Sequence, residues 1–168
     1  MTNHRRLGLT ALAITLTTAT AAHAAAYRLP QSGGPAVAVT APDDWTATRL
    51  GEATLNLTNA VRDGVISITM ETVPPDASLT TFRDNVFKAA HCAAMDRTET
   101  LRLGGRSGQA FYCQPAQSQL APARIVLIRL GETHILSVSH TYRLDATGAD
   151  VQGLEAVLAT VRYEDVGP

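Results

Sequence analysis

The segment from Arg124 to Tyr142 constrains the fold more than any other part of this chain. Residues 125–130 form an apolar run that only Arg129 interrupts, which is typical of a strand covered on both faces. The dipeptide Gly131-Glu132 then separates this run from a second strand-like segment. Two such runs joined by a short glycine-containing turn predict an antiparallel hairpin at the centre of a sheet.

Alternating apolar and polar residues predict further strands. Residues 53–59 and 65–71 alternate on either side of a turn at 62–64, so they should form a second hairpin. Strand patterns return at 100–103 and 109–114, around the glycine-rich segment 104–108. Because neither Lys-Ser/Thr nor a helix start follows those glycines, we predict a bulge or bend there and not a phosphate-binding loop.

Two segments have helical periodicity. Ser78 can cap a helix that runs to about Ala94, with apolar residues recurring at helical spacing and Cys92 in its last turn. Apolar residues between 151 and 161 predict a last helix, with Asp145 or Thr147 as its cap. A short terminal strand is expected over residues 160–163.

The first 24 residues have the pattern of a secretory signal peptide. Arg5 and Arg6 precede an apolar run that is too short to span a bilayer, and Ala22-His23-Ala24 is a small-x-small cleavage site. The adjacent arginines also permit a twin-arginine reading, although Gly8 stands where that signal usually has a bulky apolar residue. We therefore expect a periplasmic or secreted protein that is not stably inserted in the membrane.

The charge balance argues against nucleic acid as a partner. Removal of residues 1–24 leaves 12 basic against 15 acidic residues, a formal net charge of −3. Nucleic acids and anionic membranes are bound by positive surfaces, which this balance does not favour.

Cys92 and Cys113 are the two cysteines of the chain, and both follow the signal peptide. An oxidising compartment makes a disulfide between them the leading expectation, with unpaired thiols as the alternative. A zinc site that uses His91 with both cysteines is a weaker alternative, because a structural site needs four ligands and adjacent His and Cys residues do not easily face one ion.

Trp45 is the single tryptophan, and it follows a turn built on Pro42, Asp43 and Asp44. A large aromatic residue in this position is expected to close one end of the core. The alternative is that Trp45 contacts a partner protein.

The domain organisation follows from these assignments. Residues 1–24 are the signal peptide, 25–40 an extended lead-in that can pair as an edge strand near 36–39, 41–163 a single domain, and 164–168 a frayed tail. The order of elements predicts an α+β sandwich, with a mostly antiparallel sheet of about six strands packed with two main helices.

Four segments carry a resemblance to a known fold. They are Ala-Pro-Asp-Asp-Trp at 41–45, Ser-Leu-Thr-Thr-Phe at 78–82, Gly-Gly-Arg-Ser-Gly-Gln-Ala at 104–110, and residues 154–162. They resemble the Mog1/PsbP-like fold, and within it bacterial envelope proteins of the DcrB type, over most of residues 36–163. The resemblance implies a binding or assembly protein without catalysis, and it supplies no catalytic residue, cofactor or metal ligand.

We therefore expect a non-enzymatic accessory protein that interacts with another envelope or secreted protein. A small secreted hydrolase is the main alternative, and a carrier of a small ligand between sheet and helix is a third. The hydrolase would need a nucleophile, a base and an orienting acid, for which the chain offers only residue types: Ser137 or Ser139, His134 or His140, and Asp145 or Glu132. No Gly-x-Ser-x-Gly elbow is present, and Ser139 and His140 should point to opposite faces of a strand.

Overall fold

A computed structural model describes residues 24–31, 35–59, 64–89, 92–115, 123–143, 145 and 148–164. Residues 1–23 of the predicted signal peptide, the segments 60–63 and 116–122, and residues 165–168 of the predicted tail therefore lie outside the described residues.

Ten strands and two helices are present in the described part of the chain. The strands are β1 (Ala26–Leu29), β2 (Ala36–Thr40), β3 (Thr46–Arg49), β4 (Thr54–Thr58), β5 (Gly64–Thr72), β6 (Cys92–Leu103), β7 (Arg106–Pro115), β8 (Ala123–Leu130), β9 (His134–Tyr142) and β10 (Arg162–Glu164). The helices are α1 (Leu79–Ala89) and α2 (Gly148–Thr160). The strands form a three-stranded sheet, β1-β2-β10, and a seven-stranded sheet, β3-β4-β5-β9-β8-β7-β6.

The predicted central hairpin is confirmed as β8 and β9. Val126 pairs with Val138 and Leu130 with His134 across an antiparallel ladder, and β5 and β7 flank the pair. Gly131 begins the turn with φ +65°, a conformation that a side chain would disfavour. The apolar run is continuous because both of its faces are buried.

The large sheet separates two hydrophobic clusters. One cluster lies between the large sheet and the small sheet with α2, and it includes Leu57, Ile68 and Val138. The other contains Phe111 and Ile135, and Phe82 of α1 packs into it. Period-two alternation along β8 sends Val126 and Ile128 to the first cluster and Ile125 and Leu127 to the second.

Helix α1 begins as predicted. The Ser78 hydroxyl oxygen accepts the backbone N–H of Thr81 at 3.0 Å, and the Ser78 carbonyl accepts that of Phe82. This capping satisfies donors that have no partner inside the helix. The helix then packs against β8 and β6.

Helix α2 is fastened to the small sheet at its last residue. The Thr160 hydroxyl accepts the backbone N–H of Thr40 at 2.9 Å and lies 3.2 Å from the Thr40 carbonyl oxygen. Val157 and Leu158, on the preceding turn, are buried in the first cluster. Neither described helix is long and apolar enough to cross a membrane.

The mostly antiparallel sheet with two helices is confirmed, but the expected number of about six strands is wrong. The segment 25–40, expected as an extended lead-in with an edge strand near 36–39, contributes β1 and β2, and β2 is the middle strand of the small sheet and not an edge strand. Strand β3 was also not predicted, since four residues are too few for a clear alternation.

The predicted end of the first helix is wrong as well. Helix α1 ends at Ala89, and Cys92 is the first residue of β6. An alanine-rich run favours a helix intrinsically, but here the chain pairs with β7, for instance through Met95 and Cys113. Gly104 and Gly105, both with positive φ, form a tight turn in place of the expected longer bend.

Candidate functional site

Strand β3 lies at one end of the seven-stranded sheet, and no further strand pairs with it in the described residues. Its ladder with β4 continues to Leu50, whose N–H donates to the Thr54 carbonyl at 3.0 Å. Hydrogen-bonded and non-hydrogen-bonded pairs alternate along an antiparallel ladder, so Thr48 also bonds to β4. The backbone groups of Ala47 and Arg49 therefore face away from β4, along what we call the β3 edge.

Two large apolar residues flank the β3 edge. Leu50 follows the strand and is 58% exposed, which makes it the most exposed large hydrophobic residue that the structure describes. Trp45 precedes the strand and is half-buried against the first cluster. Its indole ring also covers Gly153 of α2, where a Cβ would lie 3.0 Å from Cη2. Trp45 thus contributes to the core, and its contact with a partner remains a prediction.

Arg49 fixes strand β3 to the small sheet. Its Nη2 donates to the Arg28 carbonyl at 3.1 Å, and its guanidinium carbon lies 5.8 Å from the centre of the Tyr27 ring. A side chain held by a carbonyl and an aromatic face restricts the strand that carries it. The β3 edge is therefore a fixed template and not a fraying terminus.

The face of the sheet that continues from the β3 edge is mostly uncharged, with Glu71 near the end of β5 as the charged side chain on these strands. The register places hydroxyl, amide and small apolar side chains side by side on the face opposite the first cluster, over β3, β4, β5 and β9. This open face consists of Thr46, Thr48, Thr54, Asn56, Thr58, Val65, Ser67, Thr69, Ser137, Ser139 and Thr141, which are half-buried or exposed. Among the described elements, α1 covers the β8 and β6 side of this face.

Strand β6, at the other end of the sheet, is a poorer template. Its pairing with β7 shifts register between Cys92 and Ala94 and again between Met95 and Thr98. Bulges of this kind twist an edge away from regular pairing and protect it from adding another strand. The β3 edge is shorter, but its ladder is regular and apolar residues stand at both of its ends.

Comparisons with known proteins identify the fold. No protein-family model and no curated protein matches this chain. Among solved structures, LpqN, involved in cell envelope biogenesis of Mycobacterium tuberculosis, matches with a TM-score of 0.59 and 14% identity, over 84% of this chain and 91% of its own. Cyanobacterial PsbP from Synechocystis matches with a TM-score of 0.57 and 11% identity, over 86% and 96% of the two chains. The chain has the Mog1/PsbP-like fold.

A crystal structure from Bacteroides thetaiotaomicron also matches, with a TM-score of 0.54 and 15% identity. The match covers 79% of this chain but only 46% of that protein. The Mog1/PsbP-like fold predicted from the sequence is therefore confirmed, while identities of this size establish the fold alone.

The structure does not bring a candidate nucleophile of the hydrolase together with a candidate base within this fold. Ser137 and Ser139 lie on the open face, whereas His134 and His140 lie on the opposite face of β9. His140 is buried, with 1% of its surface exposed. A nucleophile and its base must be within hydrogen-bonding distance, which side chains on opposite faces of a sheet are not.

Asp145, a candidate for the orienting acid, pairs with Arg143 instead. Its carboxylate accepts from Nε and Nη2 of that arginine at 3.0 Å and 2.9 Å. These hydrogen bonds lower the pKa of Asp145 below its ordinary value. The pair is exposed, and it stabilises the ionised carboxylate without involving a histidine.

Cys92 and Cys113 form the predicted disulfide, with their Cα atoms 5.3 Å apart. The bond joins the start of β6 to the end of β7 and not a helix to the sheet, because α1 ends before Cys92. Thiols in a disulfide are not available as metal ligands. The described residues contain no group of three His, Cys, Asp or Glu side chains that could hold a metal ion.

Sequence reasoning missed the β3 edge, apart from Trp45. A weak strand signal is present after the turn, in Trp45-Thr-Ala-Thr-Arg-Leu50, where Thr46 and Thr48 alternate with Trp45 and Ala47. It was weak because the strand has four residues and lies between two irregular segments.

Proposed function

We propose that this protein is exported and binds an extended segment of another envelope or secreted protein along the β3 edge, in a non-enzymatic accessory role. The signal sequence at 1–24 supports export, and the Cys92–Cys113 disulfide supports an oxidising compartment. The Mog1/PsbP-like fold, which is shared by LpqN, involved in cell envelope biogenesis of Mycobacterium tuberculosis, is compatible with this role.

The observation that carries the proposal is the regular β3 edge between Trp45 and Leu50. An extended peptide that lies about 4.8 Å beyond β3 can bond to the outward backbone groups of Ala47 and Arg49. Backbone bonds of this kind give affinity for any extended segment, whereas side-chain pockets give specificity. Leu50 and the exposed part of Trp45 provide apolar contacts at the two ends of the added strand.

The open face favours a partner that covers β3 without introducing buried charge. Interfaces are depleted of charged residues at their centres, and the charged side chain beside the open face, Glu71, lies near the end of β5 and away from β3. Val65, which is 37% exposed, is the large apolar residue of this face. Hydroxyl groups of neighbouring residues such as Ser67 and Thr69 can bond to a partner's polar groups, which limits the cost of removing water from them.

The proposal is tested by crosslinked pull-down of the tagged protein from its own cell envelope. Proline at position 47 removes one outward-facing N–H and places its ring at the edge, while the bonds between β3 and β4 remain. We expect one stoichiometric partner with the unaltered protein and at least about a tenfold loss of it with Ala47→Pro.

Two further variants make this test specific. Thr100→Ala removes an exposed hydroxyl of β6, at the other end of the sheet, and serves as the control that should keep the partner. Leu50→Ser removes the exposed apolar side chain at little risk to the fold, because that side chain is 58% exposed. Retention of the partner by both Ala47→Pro and Leu50→Ser, with both variants folded, would refute binding at the β3 edge.

A further inference from the structure

A pocket lies at the turn of the central hairpin, between β8 and β9. In the order of strands, β4 and β5 separate this hairpin from the β3 edge. The pocket has a volume of about 270 Å³ and is formed where the β8–β9 turn meets the small sheet. Its lining residues are Pro35, Ala36, Arg106, Leu130, Gly131, Glu132, Thr133, His134 and Tyr163. The volume is near the lower end of the range of about 300–1,000 Å³ that is typical of small-molecule sites.

The pocket combines an apolar wall with a fixed cation. Leu130 and Ala36 are buried, with 4% and 2% of their surfaces exposed, and the Tyr163 ring completes this wall. The guanidinium carbon of Arg106 lies 5.1 Å from the centre of that ring. An apolar surface with a few convergent polar groups is the usual composition of a ligand site.

Arg106 determines the sign of the charge that the pocket prefers. Arg106 is half-buried, whereas Glu132, the acidic residue of the lining, is exposed at the hairpin turn. Charges act more strongly where they are shielded from water. Arg106 has other interactions in the fold, but its guanidinium carries five donors, so it can bind a carboxylate in addition.

Tyr163 contributes its ring, and not its hydroxyl, to the pocket. The hydroxyl oxygen is buried away from water and so is not reached from the pocket. Burial raises the pKa of Tyr163 to about 12. The charge preference of the pocket therefore comes from Arg106.

We propose that this pocket binds a small organic carboxylate with an apolar body. The carboxylate pairs with Arg106, and the apolar body lies against Leu130, Ala36 and the Tyr163 ring. Thr133 and His134, whose side chains are joined by a 3.0 Å hydrogen bond between Oγ1 and Nδ1, form the polar rim on the other side. The site does not depend on the protein partner proposed above.

The test uses three probes of the same shape and different charge: phenylacetate, phenylacetamide and phenethylammonium. Each probe is titrated into the protein as purified from the cell envelope. Changes in the backbone amide chemical shifts are followed by nuclear magnetic resonance. We expect phenylacetate to bind with a dissociation constant in the millimolar range or tighter, and to shift amides in the 130–134 turn and at Ala36. The neutral and cationic probes should bind at least about tenfold more weakly.

Two arginine variants locate the binding group. Arg106→Gln should weaken phenylacetate binding at least about tenfold, and Arg106→Lys should weaken it less because the charge remains while the planar fork is lost. Arg102→Gln is the matched control, since Arg102 is exposed on the neighbouring strand and does not line the pocket.

The comparison of probes decides the question even where Arg106→Gln does not fold, because it uses the unaltered protein. Absence of saturable phenylacetate binding, equal binding of phenylacetate and phenylacetamide, or tighter binding of phenethylammonium would each overturn the proposal. Unchanged binding in a folded Arg106→Gln variant would overturn it as well.

Discussion

Replacing Gly153 by alanine tests how Trp45 is held. Gly153 lies inside α2, where alanine normally stabilises a helix by about 1 kcal/mol relative to glycine. Here a Cβ would overlap Cζ2 of Trp45 and lie 3.0 Å from Cη2. Side-chain overlap of this kind costs about 1–3 kcal/mol, because the indole ring must move within a packed environment.

The expected result is a net loss of stability of up to about 2 kcal/mol for Gly153→Ala, since an overlap cost of about 1–3 kcal/mol outweighs a gain of about 1 kcal/mol in helix propensity. In a Trp45→Ala background the overlap disappears, so the same substitution should stabilise the protein by up to about 1 kcal/mol. The effect of the substitution in the two backgrounds therefore differs by the overlap cost, which is a coupling energy of about 1–3 kcal/mol between the residues.

The assay is equilibrium unfolding in urea followed by far-ultraviolet circular dichroism, which does not require the tryptophan. Ala156→Gly is the matched control, because Ala156 is exposed on the same helix. It should cost about 1 kcal/mol in both backgrounds. Stabilisation by Gly153→Ala with Trp45 present, or an equal effect in the two backgrounds, would refute the packing described here.

Two further predictions concern the disulfide and Tyr163. Replacing Cys92 and Cys113 by alanine should lower the free energy of unfolding by about 3 kcal/mol, given their sequence separation of 21, and should make the urea midpoint insensitive to reductant. A urea midpoint of the double-alanine variant equal to that of the unaltered protein would contradict this prediction. Since the pKa of Tyr163 is raised to about 12, its phenol should stabilise the fold fully below the unfolded-state pKa, and this stability should be lost as pH rises through the folded-state pKa. The tyrosinate absorbance of the protein minus that of Tyr163→Phe should show one group ionising near pH 12, and ionisation at the ordinary phenol pKa would count against the buried position of the ring.

The central hairpin could be predicted because its signal is local and redundant. The run at 125–130 is apolar on both faces and therefore excludes an edge position, and Gly131 marks the turn. Ser78 was recognised for a similar reason, because a capping hydroxyl acts within three residues of its own position. Elements whose signals lie in neighbouring residues can be predicted from the sequence.

The remaining strands depend on distant parts of the chain. A strand near 36–39 could be expected from its residues, but the place of β2 in the middle of a sheet depends on β10, more than a hundred positions away, as well as on the nearby β1. The alanine-rich surroundings of Cys92 favour a helix, but pairing with β7 makes this segment a strand. Tertiary contacts override intrinsic propensity at such positions.

The pocket could not be predicted for the same reason. Arg106, His134 and Tyr163 belong to three strands, and nothing in their local sequence shows that they line one cavity. The β3 edge was missed because an edge is defined by the absence of a neighbouring strand, which only the sheet order shows. Trp45 alone gave a local signal, as an aromatic residue after a turn.

Site-specific photocrosslinking in the intact cell envelope tests the central claim most directly. A photoreactive residue is placed at position 50, beside the β3 edge, and in a second variant at Lys88, which is exposed on α1. We expect a single crosslinked protein from position 50 that is lost when Ala47→Pro is added, and none from position 88. Equal crosslinking from both positions, or a crosslink at position 50 that survives Ala47→Pro, would contradict binding of a partner strand at the β3 edge.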